Sequence, residues 1–314
     1  MPNDKLTTII SNCEESFFRD LLDHIGEAVC VMDNDLNILF WNQALEDLTG
    51  RDAEDMLDHP CKKNLLIQGP AEKLLTCAED CPVKQSFKDK KMREYKAYML
   101  HKEGFRIPAV MRILPLLNKD HSADISVLSF HEYTPKVSMP HLTEELRNMN
   151  MLDTLTGTGN RKYVEMNLEH RLDEMKKYGF PVGVLFCILD DIESINDIYG
   201  TLVKDNVIKM IGKTISRNIR FFEFVGRWDE NAFMVILSNV NANKLDLVAN
   251  KLRLLAEQSN IHVDDKFMHT TISVGAVLAD SMSTMDSLVK EAEKLAQVSQ
   301  KEGQNRVTLY SEKY

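Results

Sequence analysis

Phe224-Val225-Gly226-Arg227-Trp228-Asp229-Glu230-Asn231-Ala232-Phe233-Met234-Val235-Ile236-Leu237 decides how this chain is read. An apolar run ending at Val225 and another opening at Phe233 flank a short polar segment. That pattern predicts a β-hairpin with an exposed tip. Working outward, four further stretches stand in order around it. They are Asp153-Thr154-Leu155-Thr156-Gly157-Thr158-Gly159-Asn160-Arg161-Lys162, Asn196-Asp197 followed by Tyr199-Gly200, Ser273-Val274-Gly275 and Gly303-Gln304-Asn305-Arg306-Val307.

Together these residues resemble the GGDEF family, whose members join two GTP molecules into cyclic di-GMP. The resemblance runs from residue 153 to about 310. It implies an α/β fold like that of the nucleotidyl cyclases, with a central, mostly antiparallel sheet flanked by helices. It also implies a reaction in which one nucleotide's 3′-hydroxyl attacks the α-phosphate of another across a dimer. Magnesium would neutralise the phosphates there, and magnesium prefers hard carboxylate ligands.

The five-residue signature at the hairpin tip reads Asp229-Glu230-Asn231-Ala232-Phe233, so four of its five positions differ from Gly-Gly-Asp/Glu-Glu-Phe. Alignment on Asn196-Asp197 places Ile188 where the family's metal-binding aspartate belongs. The signature's acidic positions fall on Asn231 and Ala232. Glu193, Gln300 and Gln304 stand where the family has phosphate-binding cations. Asp229 and Glu230 replace glycines that let backbone approach the nucleotide. A carboxylate about 4 Å from a phosphate charge costs roughly 4 kcal/mol at an effective dielectric near 20. Magnesium is therefore not expected at this site.

The family's guanine contacts fall on Asn196 and Asp205, which are retained; both residue types also serve turns and helix starts. The family's inhibitory product site falls on Arg220-Phe221-Phe222-Glu223. Its Arg220 and Glu223 read either as a cyclic di-GMP contact or as a surface ion pair.

The first half of the chain carries Ala28-Val29-Cys30-Val31-Met32 and Ile38-Leu39-Phe40-Trp41 around the turn Asp33-Asn34-Asp35. This predicts a second hairpin. Trp41-Asn42-Gln43-Ala44-Leu45-Glu46-Asp47-Leu48-Thr49-Gly50 then resembles the PAS family of sensor domains, built on an antiparallel sheet with helices. Lys102–Pro108, Val110–Leu116 and Ile125–Phe130 resemble that domain's last three strands. The resemblance covers about residues 17–134.

Cys61, Cys77 and Cys81, with His101 beyond them, have two readings. Four such ligands converging at about 2.0–2.3 Å would hold zinc, and thiolates would hold an iron–sulfur cluster. Otherwise they are small buried side chains. Cys13, Cys30 and Cys187 read as packing. A flavin photoreceptor is disfavoured, because Pro60 precedes Cys61, Lys62-Lys63-Asn64 follow it, and Phe130 stands where a flavin-contacting glutamine is expected.

Between the halves, Leu142, Leu146 and Met149 have helical spacing after Pro135 and Pro140. A helical linker over 135–152, running straight into Asp153, is expected, with its apolar seam pairing in a homodimer or packing locally. The expected organisation is α+β: an N-terminal segment 1–16, a PAS domain 17–134, the linker, and a degenerate GGDEF domain 153–314. A length of 314 residues, 44% hydrophobic and 27% charged, fits two globular domains. No apolar run reaches the ~20 residues of a membrane helix. The start lacks a secretory pattern, so a cytoplasmic, reducing setting is expected. A net charge of −10 argues against a nucleic-acid or anionic-membrane surface.

Two functional readings follow. One is a non-catalytic signalling protein that acts by binding a partner, GTP or cyclic di-GMP. The other is an active cyclase whose metal site has shifted to Asp190 and Asp229. A shift of two residues along a strand moves a carboxylate about 6.6 Å, which argues against the second.

Overall fold

A computed structural model describes residues 15–61, 66–68, 75–76, 81–118, 123–132, 146–263 and 266–310. The described residues divide into two compact units, one within 1–66, 76–97 and 109–132, the other within 67–75, 98–108 and 133–314. The units are thus not two continuous halves of the sequence.

In the first half of the chain, helix α1 (Glu15–His24) precedes strands β1 (Ala28–Asp33) and β2 (Ile38–Trp41). The expected turn between those strands forms around Asp33, whose Oδ1 accepts from the N–H groups of Asp35 at 3.0 Å and Asn37 at 2.8 Å. Helix α2 (Gln43–Thr49) follows, capped by Asn42. The Asn42 side chain is fully buried and saturated. Its Oδ1 accepts from Val29 and Leu45, and its Nδ2 donates to the carbonyls of Leu22 and Glu27. One amide therefore ties α1, β1 and α2 together, which is a physical reason for asparagine after Trp41.

Short strands β3 (Leu66–Gln68) and β4 (Leu75–Thr76), helix α3 (Pro82–Asp89) and strands β5 (Arg93–Leu100), β6 (Arg106–Leu117) and β7 (Ala123–Glu132) complete a sheet of order β2-β1-β7-β6-β5-β3-β4. Val110–Leu116 and Ile125–Phe130 lie in β6 and β7 as expected. Lys102–Pro108 is not a separate strand. Gly104 has φ +86°, and the His101 and Phe105 backbones close a turn there, so the preceding strand is Arg93–Leu100.

Residues 146–148 are helical, but the helix does not continue to Leu152. Met151 donates back to the Leu146 carbonyl, Asn150 is left-handed at φ 53°, and Leu152 bridges Gly159. Leu142 lies outside the described residues.

The second half contains α4 (Arg161–Tyr178), β8 (Val182–Leu189), α5 (Ile192–Tyr199), α6 (Thr201–Asn218), β9 (Phe224–Asp229), β10 (Ala232–Ser238), α7 (Ala242–Glu257), the two-stranded ribbon β11 (Ile261–Val263) and β12 (Lys266–Met268), β13 (Ile272–Leu278), α8 (Met285–Lys301) and β14 (Val307–Leu309). Its main sheet has the order β14-β13-β8-β10-β9, antiparallel except for the β13–β14 pair. Every residue of β8 is buried, as a central strand covered on both faces requires. Gly275 of β13 lets α8 approach closely: a Cβ there would lie 1.9 Å from the Ala292 carbonyl oxygen.

Candidate functional site

The hairpin predicted at Arg227 forms from β9 and β10, with Glu230 and Asn231 at its tip and an irregularity in register between Ala232 and Phe233. Arg227 fixes that tip. Its Nη2 donates to the Glu230 carbonyl at 2.9 Å and its Nε to that of Asp229 at 3.2 Å, while Nη1 lies 3.4 Å from Asp153 Oδ2. The other Asp153 oxygen accepts from the backbone N–H and the hydroxyl of Thr156 at 2.8 and 2.7 Å. The motif that opens the domain is thereby bolted to the hairpin.

Beneath the tip, Ala232 of β10 pairs directly with Ile188 of β8. Both are buried, and both belong to the core that contains Trp228, Phe186 and Met234. The Trp228 ring meets Phe186 edge-on with centroids 6.4 Å apart, and the Arg161 guanidinium lies 4.3 Å from the Trp228 ring centroid. Ile188 and Ala232, two of the three positions that the resemblance matches to acidic ligands, therefore face each other as a hydrocarbon pair. Neither side chain carries an oxygen, and the third position, Asn231, offers only a neutral amide, so this donor set does not fit a magnesium ion.

The remaining acids are engaged elsewhere. Asp190 is almost fully buried, and its carboxylate accepts from Thr271 Oγ1 at 2.6 Å, Ser273 Oγ at 2.8 Å and the Asn305 N–H at 3.2 Å. Asp229 Oδ1 accepts from the Glu230 N–H at 2.7 Å. Asp229 pairs in register with Ala232 across the hairpin, but among the described residues no three His, Cys, Asp or Glu side chains gather there as a shifted metal site. Sequence reading missed the Asp190 network, although Ser273 of the Ser-Val-Gly motif and Thr271 just before it were a usable signal.

Glu193 is exposed in the first turn of α5, 3.7 Å from Lys204 Nζ. Gln304 is left-handed at φ 62° and donates to Asp191 Oδ1 at 3.0 Å. Gln300 is half-buried near the end of α8. Asn196 Oδ1 accepts from Thr201 Oγ1 at 3.1 Å, and Asp205 is half-buried on α6. Asn196 therefore has a local role in the α5–α6 turn.

Arg220 and Glu223 close a turn of their own. The Glu223 carboxylate accepts from the Arg220 N–H at 2.8 Å, and the Arg220 guanidinium is exposed, 5.8 Å from the Phe222 ring. They border a cavity of about 250 Å³ that Leu146, Tyr163 and Phe224 also line.

Cys77 lies outside the described residues. Cys61 is half-buried, and burial pushes its thiol up to about 12, with the charge of Cys81 adding to the shift. Cys81 is buried at the start of α3. His101 stacks on Phe105 with centroids 4.2 Å apart, and its Nδ1 accepts from the Glu103 N–H at 3.1 Å. Burial, opposed by the charge of Glu103 and reinforced by those of Lys213 and Arg217, holds that imidazole down at about 4. Among the described residues no three His, Cys, Asp or Glu side chains gather as a metal-binding group.

The family described as diguanylate cyclase, GGDEF domain, matches residues 150–306. The chain belongs to the GGDEF family. A PAS domain matches residues 16–83. Among curated proteins, diguanylate cyclase DosC of Escherichia coli K12 is 22% identical over 160 residues, covering 51% of this chain and 35% of DosC. Diguanylate cyclase A of Treponema denticola is 31% identical over 129 residues, 41% of this chain and 35% of that protein. The chain thus spans about a third of the length of these relatives. Two solved structures share the GGDEF fold. They are SiaD of Pseudomonas aeruginosa with its activator SiaC (TM-score 0.52, 20% identity, 55% of this chain and 66% of that one) and the coiled coil and GGDEF domain of DgcB from Caulobacter crescentus with c-di-GMP (TM-score 0.51, 23% identity, 55% and 91%). Among the described residues no helix is long and apolar enough to cross a membrane.

Proposed function

We propose that this PAS–GGDEF protein is a signalling component whose GGDEF domain binds a ligand or partner and does not synthesise cyclic di-GMP. The observation that carries this reading is the direct pairing of buried Ile188 with buried Ala232 at the positions where the family holds its metal. Charge loss supports it: Glu193, Gln300 and Gln304 supply no cation to a triphosphate. Incubation with GTP and magnesium or manganese, followed by mass spectrometry, should yield no cyclic di-GMP above an Asp229→Ala control. Product above that control refutes the proposal.

A second reading is a cyclic di-GMP receptor centred on Arg220. The exposed guanidinium beside Phe222 and the adjoining cavity favour it. DgcB was solved with that dinucleotide. Calorimetry with cyclic di-GMP and with GTP separates the two readings, since only the receptor reading expects heat that Arg220→Ala abolishes. A homodimer and a protein partner belong to the same proposal.

A further inference from the structure

Residues 98–108 lie outside both matched regions, yet they belong to the second compact unit. At the centre of this hairpin tip Arg106 is fully buried. Its Nε and Nη2 donate to the Gln258 carbonyl at 3.0 and 2.6 Å. Gln258 caps the C-terminus of α7, where orphan carbonyls and the negative end of the helix dipole favour a cation. The Arg106 carbonyl accepts from Asn218 Nδ2 at 2.9 Å, and its N–H lies 3.4 Å from Thr214 Oγ1, so the same residue also holds α6. Phe105 is buried beneath Lys213 and Arg217, and Glu103 pairs with Lys213. Asn260 donates to the Gly104 carbonyl, and a Cβ on Gly104 would lie 2.0 Å from the Asn260 oxygen.

We propose that this tip is a strap that fastens the end of α6 to the end of α7, and that it conducts change from the N-terminal sheet to the GGDEF domain. Strands β5 and β6 run into it without a linker, and a buried, hydrogen-bonded arginine cannot follow their displacement without disturbing both helix ends. This conduit works whether the domain is catalytic or not.

Hydrogen exchange on the full chain tests it. In the wild type, residues 98–108, 213–219 and 256–261 should be protected. Gly104→Val should raise exchange in the last two segments roughly tenfold or more while β8 stays protected. Ile113→Ala, a buried site in β6, should also raise exchange at 213–219, and that effect should vanish in the Gly104→Val background. An unprotected tip in the wild type, no response at the helix ends, or additive effects in the double variant would each overturn the proposal. Should Gly104→Val fail to fold, Arg106→Lys decides it, because lysine cannot reproduce the forked hydrogen bonds to the Gln258 carbonyl. Exchange at 213–219 and 256–261 should rise roughly tenfold while β8 stays protected, and no rise would overturn the strap.

Discussion

Restoring one metal carboxylate should damage the fold before it restores any chemistry. Ile188→Asp removes a buried side chain whose burial contributes about 1.5–3 kcal/mol, and it places a carboxylate opposite Ala232 among hydrocarbon and aromatic side chains. Such a group either stays ionised at a cost of several kcal/mol or takes up a proton at neutral pH. We expect a loss of roughly 4 kcal/mol at pH 7, equivalent to about 8–16 °C in Tm for a domain of this size. The folded-state pKa of the new carboxyl would be raised above its unfolded value. The penalty is therefore absent below the unfolded pKa near 4 and grows as pH rises toward the folded pKa, so it is larger at pH 7 than at pH 5. Urea unfolding at pH 7 and pH 5, with and without 10-millimolar-scale magnesium, measures all three effects. A loss under about 1 kcal/mol, or stabilisation by magnesium through ligand linkage, would show that water and cations reach the position and that it is not an apolar plug.

His101 gives a pH signature, because its folded pKa is depressed below the ordinary value. The unfolded chain binds the extra proton as pH drops from about 6.5, so stability should fall from there down to about pH 4, and His101→Gln should flatten that slope in urea titrations. The triple Ile188→Asp, Asn231→Asp, Ala232→Glu variant should still give little cyclic di-GMP, since Glu193, Gln300 and Gln304 leave the phosphates uncompensated; robust turnover would show the lost cations to be unimportant. On the homodimer proposal, charged substitutions at Leu142, Leu146 and Met149 should give a monomer in sedimentation with circular dichroism unchanged, and a persisting dimer places the seam elsewhere. The metal reading of Cys61, Cys77 and Cys81 expects about one equivalent of zinc, or the iron of a cluster, in protein purified without chelators; metal-free protein leaves them as packing.

Where one residue's chemistry dictated a local geometry, the sequence could be read. Asp33 at a turn, Asn42 at a helix cap and the apolar runs around Arg227 all lie where their properties require. Reading failed where distant backbone decided. Lys102–Pro108 has a strand-like ending, but its path is set by Gly104 against Asn260, more than a hundred residues away in sequence. The helix before Asp153 was expected to continue because nothing nearby breaks it. It stops because Leu152 is taken by Gly159 and Asn150 turns left-handed. At the site, the substitutions were visible as letters, but the direct facing of Ile188 and Ala232 needed the register of β8 against β10.

On the proposal that no metal binds here, that register also explains how the family pattern can persist. Motif residues present here have work in the fold. Asp153 holds Thr156 and Arg227, and Asn160 caps α4 by accepting from Tyr163. Asp190 is the buried acceptor for Thr271, Ser273 and Asn305, and Gly275 admits α8. The positions that the resemblance assigns to nucleotide or metal, at 188, 193, 229–232, 300 and 304, carry other residues here. An alanine and an isoleucine facing each other stabilise the sheet by burial, whereas two uncompensated carboxylates there would repel and desolvate. A GGDEF chain freed from synthesis would gain stability by this exchange. The match over residues 150–306 therefore argues for the fold and is silent on turnover. Measuring Ile188→Asp and Ala232→Glu singly and together tests the point. If the plug is structural, the double variant should be less stable than either single one at neutral pH.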